Sequence, residues 1–326
     1  MQKLFTFFSN STDPYYNLAV EEVLLSRVPA DGIILYLWQN DHTVVIGRNQ
    51  NIWKECRVAL LQEENGKPAR RLSGGGAVYH DLGNLNFTFL CPDNDYDVNK
   101  QLSVIQRAVS FAGIHAEFSG RNDLLTDGKK FSGNAFYHSK GNAYHHGTLL
   151  IDSDMEKLQR YLSPPKAKLE SKGIASVRSR VVNLKELSPA LNCEIMKTYM
   201  VDAFSQIYGL PAVPFSLTEE DHLRITELSA RNADPKWLFE KQMAFSCHVE
   251  GRLSFGSVEL GLFVDGGIIQ DIQVYTDAMD WALPQAVENA LLGCRFETAA
   301  MQKALQTLPD KVVYKDLCQL LAEQVL

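Results

Sequence analysis

Arg70-Arg71-Leu72-Ser73-Gly74-Gly75-Gly76-Ala77-Val78-Tyr79-His80 is the least ordinary stretch of the chain. Three consecutive glycines let a backbone adopt conformations closed to other residues and approach a phosphate with no side chain in the way. Ser73 adds a hydroxyl, and Arg70 and Arg71 supply planar cations suited to phosphate oxygens or a carboxylate. A surface turn with a solvated basic pair has the same composition. The stretch is not a Walker loop, because Gly-x-x-x-x-Gly-Lys-Ser/Thr is absent, and no glycine follows Gly76 at the offset of a dinucleotide fingerprint.

Outward from this loop the chain reads as alternating strands and helices. Asp13-Pro14 before Tyr15 to Leu25 gives an N-cap and a proline at the first helical position, with Leu18 and Leu25 on one face. Ile33 to Trp38 and Thr43 to Ile46 are apolar runs separated by Gln39-Asn40-Asp41, and are expected to pair as strands. The glycine stretch falls between a helical run near Val58 to Glu64 and a strand at Asn86-Phe87-Thr88-Phe89-Leu90. Leu102, Ile105, Ala108, Val109 and Ala112 have helical spacing, closed by Gly113. In Leu124-Leu125-Thr126-Asp127-Gly128-Lys129-Lys130-Phe131, Asp-Gly between two strand-like runs signals a hairpin that turns Lys129 and Lys130 to opposite faces.

A polar reset at Arg231-Asn232-Ala233-Asp234-Pro235 places a linker between there and Ser246, giving expected domains 1–244 and 245–326. In the second, Val258, Leu260, Leu262 and Val264 alternate into Asp265-Gly266-Gly267 and return through Ile268, Ile272 and Val274. Helices are expected over Ala282 to Leu292, Glu297 to Leu308 and Lys315 to Val325.

A length of 326 residues exceeds what one core usually serves, which agrees with two domains. The charged fraction of 22% and hydrophobic fraction of 45% fit a globular chain and argue against disorder. A net charge of -7 and pI near 5.7 leave no broad basic surface, so nucleic acid is not an expected partner. The apolar start at Met1 to Ser9 is too short for a signal-peptide core, and no run reaches membrane-spanning length. A cytoplasmic protein without a membrane partner is expected, and nothing demands more than a monomer. Cys56, Cys91, Cys193, Cys247, Cys294 and Cys318 show no Cys-x-x-Cys spacing, which suggests neither a zinc site nor a disulfide framework.

Other residues are candidates for chemistry. Gly120-Arg121-Asn122-Asp123 is a turn ending in a carboxylate, either a ligand for magnesium or a turn aspartate bonding its own backbone. Lys129-Lys130 precede Ser132-Gly133, an unusual setting for a plain exposed pair. His145-His146 point to opposite faces of a strand and have no third ligand at useful spacing, so a metal is rejected. His146, Gly147 and Thr148 either line a cleft or satisfy core hydrogen bonds. Ser176-Val177-Arg178-Ser179-Arg180-Val181-Val182-Asn183 is either a surface loop or a closure over an anion.

These blocks, with Asn17-Leu18-Ala19-Val20-Glu21-Glu22, Thr43-Val44-Val45-Ile46-Gly47-Arg48 and Asn51-Ile52-Trp53-Lys54-Glu55-Cys56, together resemble the lipoate-protein ligases that carry a C-terminal accessory domain. The resemblance spans essentially the whole chain. It implies an α/β (α+β) fold, with a catalytic domain like that of biotin ligases and class II aminoacyl-tRNA synthetases and a small α/β C-terminal domain. It implies that lipoate and ATP form lipoyl-AMP and diphosphate, and that the acyl group then moves to a lysine of an apo lipoyl domain. The implied acceptors are 2-oxoacid dehydrogenase E2 subunits and the glycine cleavage H protein.

Residue by residue, the resemblance places ATP at Arg71, Gly76, Ala77, Val78, Tyr79 and Lys130 and implies a mobile adenylate-binding loop at Ser176 to Asn183 with Arg178 and Arg180; Asn84 and Asp123 are expected beside it. Lipoate is expected at Lys130, Ser73, Gly75, His80, Ser132, Gly133 and His146, with its tail against Trp38 and Val45. Lys130 is the implied catalytic lysine, Mg2+ accompanies ATP with Asp123 as its candidate ligand, and no tightly bound cofactor is implied. The linker Trp237-Leu238-Phe239-Glu240-Lys241 departs from the family, with charged residues where a glycine is expected.

The chemistry is consistent with these places. When a carboxylate attacks the α-phosphate, a fixed ammonium about 4 Å away is worth about 4 kcal/mol at an effective dielectric near 20. Burying about five methylenes of an acyl tail contributes about 4 kcal/mol. Trp38, Val45 and Leu72 are the expected lining, and each is equally a core residue by composition. A transferase of this fold that works through a cysteine thioester ranks behind, because no cysteine lies between Cys91 and Cys193. A biotin ligase lacks its arginine-rich glycine loop here, and a non-catalytic carrier-binding protein would not need both Arg71 and Lys130.

Overall fold

The computed structural model describes residues 3–119, 123–162, 181–239 and 247–324. Backbone contacts divide the chain into two compact units. The first is Met1–Val45, Trp53–Arg70 and Val78–Leu238, and the second is Ile46–Ile52, Arg71–Ala77 and Phe239–Leu326.

In the first unit the strands are β1 (Lys3–Phe8), β2 (Gly32–Trp38), β3 (Thr43–Ile46), β4 (Lys67–Arg70), β5 (Val78–His80), β6 (Asn84–Pro92), β7 (Glu117–Phe118), β8 (Asp123–Thr126), β9 (Lys129–Ser139), β10 (Asn142–Leu150) and β11 (Ala212–Pro214). Among the described residues they build an eight-stranded sheet in the order β11-β1-β2-β6-β10-β9-β8-β7 and a three-stranded sheet β4-β3-β5. Strand β2 is buried at all seven positions, and its alternation splits the interior in two. Ile33, Leu35 and Leu37 join Phe87 and Phe89 beneath helices α2 (Val98–Ser110) and α3 (Cys193–Tyr208). Tyr36 and Trp38 join Leu18, Val20 and Leu24 of α1 (Pro14–Ser26), with Ile225 and Leu228 of α4 (Glu219–Ala233). Helix α1 begins as its sequence dictates, the Asp13 carboxylate accepting from the backbone N–H of Tyr15 and Tyr16 with Pro14 following.

The expected pairing of Ile33–Trp38 with Thr43–Ile46 is overturned. β2 pairs parallel with β1 and antiparallel with β6, whereas β3 pairs with β5 in the smaller sheet. A strand buried on both faces needs a neighbour on each edge, and α1 supplies the crossover that a parallel β1–β2 pair requires.

In the second unit β12 (Cys247–Arg252), β13 (Ser257–Asp265) and β14 (Ile268–Thr276) form an antiparallel sheet. The last pair is joined at Gly266 and Gly267, whose φ values of 56° and 74° match a two-residue turn that follows strand twist. Helices α5 (Leu283–Leu291), α6 (Thr298–Ala304) and α7 (Lys311–Gln324) close a core that includes Leu260, Leu262, Val274, Leu291, Met301 and Leu317. Helix α6 stops short of the expected Leu308, its last turn tightening to a 3-10 helix at Leu305–Thr307, and α7 starts before the expected Lys315.

Candidate active site

The β8–β9 hairpin turns at Asp127 and Gly128, both with positive φ (48° and 73°), as the Asp-Gly pair requires. Lys129 lies opposite Thr126 and is exposed, whereas Lys130 lies opposite Leu125 and is half-buried. A register shift between Leu124 and Leu125 leaves Phe131 as the extra residue of a bulge. The Lys130 ammonium lies 2.7 Å from Asp123 Oδ1. It sits directly over Gly133, where an added Cβ would come within 2.9 Å of Nζ and 3.1 Å of Cε. Val182 donates to the Lys130 carbonyl at 3.0 Å, and Val181 pairs with Lys130 as a parallel bridge. The end of the Ser176 to Asn183 stretch is therefore tied to the lysine strand, while Arg178 and Arg180 lie outside the described residues.

Cross-strand partners share a face, so the ladder places Asp123 beside Gly133, Thr148 beside Asn86, and Asn86 beside Trp38. The Gly133 N–H points to Thr148 Oγ1 at 3.4 Å and joins these pairs into one transverse row over five strands. Asn86 accepts from Asn84 Nδ2 at 3.0 Å, and both side chains are buried. In the next row Ala135, His146, Thr88 and Tyr36 stand side by side.

Here α1 inserts Glu21, which sequence reasoning did not single out. Its Oε1 accepts from Thr88 Oγ1 at 2.7 Å and from His146 Nδ1 at 2.8 Å, and Thr88 accepts from Trp38 Nε1 at 3.1 Å. A carboxylate can only accept, so His146 carries its proton on Nδ1. Of the two uses open to His146, the hydrogen-bonding one is occupied. Trp38 also stacks on Tyr36 (5.7 Å, 13°) and meets the His80 ring edge-on, and His80 Nδ1 takes the side-chain N–H of Asn40 at 3.1 Å. Asn86 and Thr88 also went unassigned in the sequence. Their signal was the alternation Asn84-Leu85-Asn86-Phe87-Thr88-Phe89, a strand that buries a polar face as well as an apolar one.

His145 faces the other side. Its Nδ1 is 3.1 Å from the Gln101 side-chain amide and its Nε2 2.8 Å from that of Asn134. Burial, with the neighbouring His146 adding to it, pushes its pKa down to about 3. Among the described residues no group of three His, Cys, Asp or Glu side chains is placed to hold a metal. Asp123, the candidate magnesium ligand, instead faces the Lys130 ammonium.

The glycine loop belongs to the second unit. Arg71 organises it from within, its Nε donating to Ser73 Oγ (3.1 Å) and its Nη2 to the carbonyls of Gly74 (2.7 Å) and Gly76 (2.8 Å). Ser73 O takes the Arg48 N–H at 2.9 Å, and Gly75 N donates to Ala278 O at 3.1 Å. A Cβ on Gly74 would lie 2.3 Å from Ala278 O, and one on Gly47 would lie 2.2 Å from Gly75 O, so backbones approach where only glycine fits. Gly75 adopts φ 87°, and Gly76 opens onto free space. Arg70 is a correction to the expected phosphate-facing pair. It is buried, donating to the carbonyls of Trp237 (3.1 Å) and Leu238 (2.7 Å).

In β5, Val78 pairs with Val45 and Tyr79 with Val44. The Tyr79 phenol turns inward against His42 and Tyr161, ring centroids 6.2 and 5.6 Å away, and burial raises its pKa.

A family profile described as the lipoyl protein ligase A/B catalytic domain matches residues 13–205. The chain belongs to this family. A second profile, the bacterial lipoate protein ligase C-terminus, matches residues 242–321. The chain is thus an enzyme of the lipoate-protein ligase family. Among solved structures it is similar to P. falciparum LipL1 in complex with lipoate, with 28% identity and a TM-score of 0.87 over 98% of this chain and 100% of that one. It shares the fold of a bipartite lipoate protein ligase, solved with its E2 lipoyl domain, from Thermoplasma acidophilum. That match has 24% identity and a TM-score of 0.66 over 76% of this chain and 99% of the other. The same fold is present in a lipoate-protein ligase A bound with ATP, at 23% identity and a TM-score of 0.64 over 73% and 98% of the two chains. Among the described residues no helix is long and apolar enough to cross a membrane.

Proposed function

We propose that this chain joins lipoate to ATP and then to protein. A lipoate carboxylate oxygen attacks the α-phosphorus, the bond to diphosphate breaks, and lipoyl-AMP forms. The ε-amine of a lysine on an apo lipoyl domain then attacks the acyl carbon, loses a proton, and displaces AMP. The acceptors are lipoyl domains of 2-oxoacid dehydrogenase complexes and the glycine cleavage H protein.

The observation that supports this most is the seat of Lys130. Its ammonium is pinned by Asp123 over a glycine, in the row that also carries Thr148 and Asn86. A fixed cation at that place stabilises charge growing between two anionic groups without transferring a proton, worth about 4 kcal/mol at 4 Å and an effective dielectric near 20. Ser132 and Gly133 continue the lysine strand, and Gly76 and Ala77 offer backbone to the nucleotide and Gly75 to lipoate, while Arg71 holds that loop's shape. Tyr79 joins the nucleotide site through its backbone, since its ring is packed inward. Mg2+ enters with the phosphates of ATP. The Asp123 carboxylate and Asn84 Oδ1, a buried oxygen without a hydrogen-bond partner, are the oxygen donors that would hold it. The lipoate in the P. falciparum relative and the ATP in lipoate-protein ligase A are consistent with both substrates.

The test offers lipoate, octanoate and biotin with ATP and Mg2+ to the purified chain, reading diphosphate release and the mass of an added lipoyl domain. Diphosphate release with lipoate and a lipoyl mass gain on the domain are expected. No diphosphate with any acid would overturn the proposal.

A further inference from the structure

Asn86 stands in the middle of the transverse row, between Trp38 and Thr148, and is 1% exposed. Its Oδ1 is occupied by the Asn84 amide, which fixes the plane of the side chain. Its Nδ2 is buried and has no hydrogen-bond partner. Burying an amide donor without an acceptor costs free energy, and a fold that keeps one on its site face has a use for it when a ligand arrives.

The row shows what that ligand brings. Gly133, with the Lys130 ammonium over it, lies two strands from Asn86, about 10 Å between backbones at ordinary strand spacing. Thr148 separates them, and its hydroxyl lies near the Gly133 N–H. A carboxyl group flanked by a hydrogen bond of about 2.8 Å on each side spans most of that interval. Lys130, held by Asp123, supplies a charge on one flank, and Asn86 a neutral donor on the other.

We propose that Asn86 donates its side-chain NH2 to the carboxyl oxygen of the acid substrate on the side away from Lys130, and so orients the other oxygen for attack. This rests on the lipoate-activating reading above. Asn86 is thereby a substrate-binding residue that selects for an acid head group, and Asn84 is its positioning partner.

The test compares wild type, Asn86→Ala and Asn86→Asp. It reads KM for lipoate, KM for ATP, and inhibition by a dithiolane with the same alkyl tail and no carboxyl group. Removing a hydrogen bond to a charged group should raise the lipoate KM at least tenfold in Asn86→Ala. Asn86→Asp sets a carboxylate against a carboxylate and should raise it further, to about a hundredfold. ATP KM and inhibition by the headless analogue should stay within twofold. The aspartate variant matches the native side chain in shape, so it keeps the comparison valid if the alanine variant fails to fold. A lipoate KM within twofold of wild type in both variants overturns the proposal, as does equal weakening of lipoate and the headless analogue. Failure of the wild-type chain to activate lipoate would remove the functional reading and this inference with it, whereas an active wild type with unaltered variants removes only the inference.

Discussion

Lys130 Nζ and Asp123 Oδ1 stand 2.7 Å apart on adjacent strands, each side chain about a third exposed (35% and 31%). At that exposure the pair contributes little to stability, about 1 kcal/mol or less. Its consequence is orientation of the ammonium. Asp123→Asn should therefore leave the thermal midpoint within a few degrees of wild type while lowering the rate of lipoyl-AMP formation about tenfold. Calorimetry and a diphosphate assay read the two effects separately, and a large drop in midpoint with unchanged rate would contradict the assigned role.

Gly133→Ala places a methyl 2.9 Å from the same ammonium. The atom it meets is the end of a flexible side chain, so the fold yields and the lysine moves. Activation should fall about tenfold or more with stability changed by less than about 1 kcal/mol. Gly74→Ala differs because its methyl meets the Ala278 carbonyl at 2.3 Å, which is backbone. That variant should lose stability, seen as a lower unfolding midpoint.

Arg70 and Arg71 are adjacent yet should separate in assay. Arg70→Ala leaves the Trp237 and Leu238 carbonyls without their buried donor, at a cost of about 1–3 kcal/mol, and should leave the ATP KM of the folded fraction unchanged. Arg71→Ala removes the donors that tie Ser73, Gly74 and Gly76 together and should raise the ATP KM about tenfold. An unaltered ATP KM in Arg71→Ala would remove that loop from the nucleotide site.

His145 makes stability depend on pH. Its folded pKa is about 3 against 6.5 for the free side chain, so between those values the unfolded chain binds more protons than the native one. The contribution is whole above pH 6.5 and is lost progressively as pH falls towards 3. Between pH 7 and pH 5 the loss amounts to about 2 kcal/mol. Denaturant melts of wild type and His145→Asn at the two pH values should differ in slope by that amount. Parallel curves would mean that the buried imidazole is not held neutral.

Elements specified within a few residues were legible in the sequence. The Asp13 cap, the Asp127-Gly128 turn with its split of Lys129 from Lys130, and the Gly266-Gly267 return all depend on local backbone chemistry. Pairing between distant strands was not. Nothing local tells that Ile33–Trp38 is a central strand beside β1 and β6, because an apolar run reads alike whichever neighbour it takes. The same limit hid part of the site. Glu21 stands in a block that carried the resemblance without a role of its own, and only the fold brings it to Thr88 and His146. Asn86 was seen as one letter of a strand, and its role depends on which face that strand buries. Arg70 failed for the converse reason, since its partners lie more than 160 residues away.

The proposed function stands or falls with the Lys130 ammonium as the group that activates the acid. Lipoate-dependent diphosphate release by Lys130→Ala and Lys129→Ala, measured beside wild type with both variants confirmed folded, tests it most directly. A loss of at least a hundredfold in Lys130→Ala and a rate within twofold of wild type in Lys129→Ala are expected. Equal rates in the two variants would contradict it.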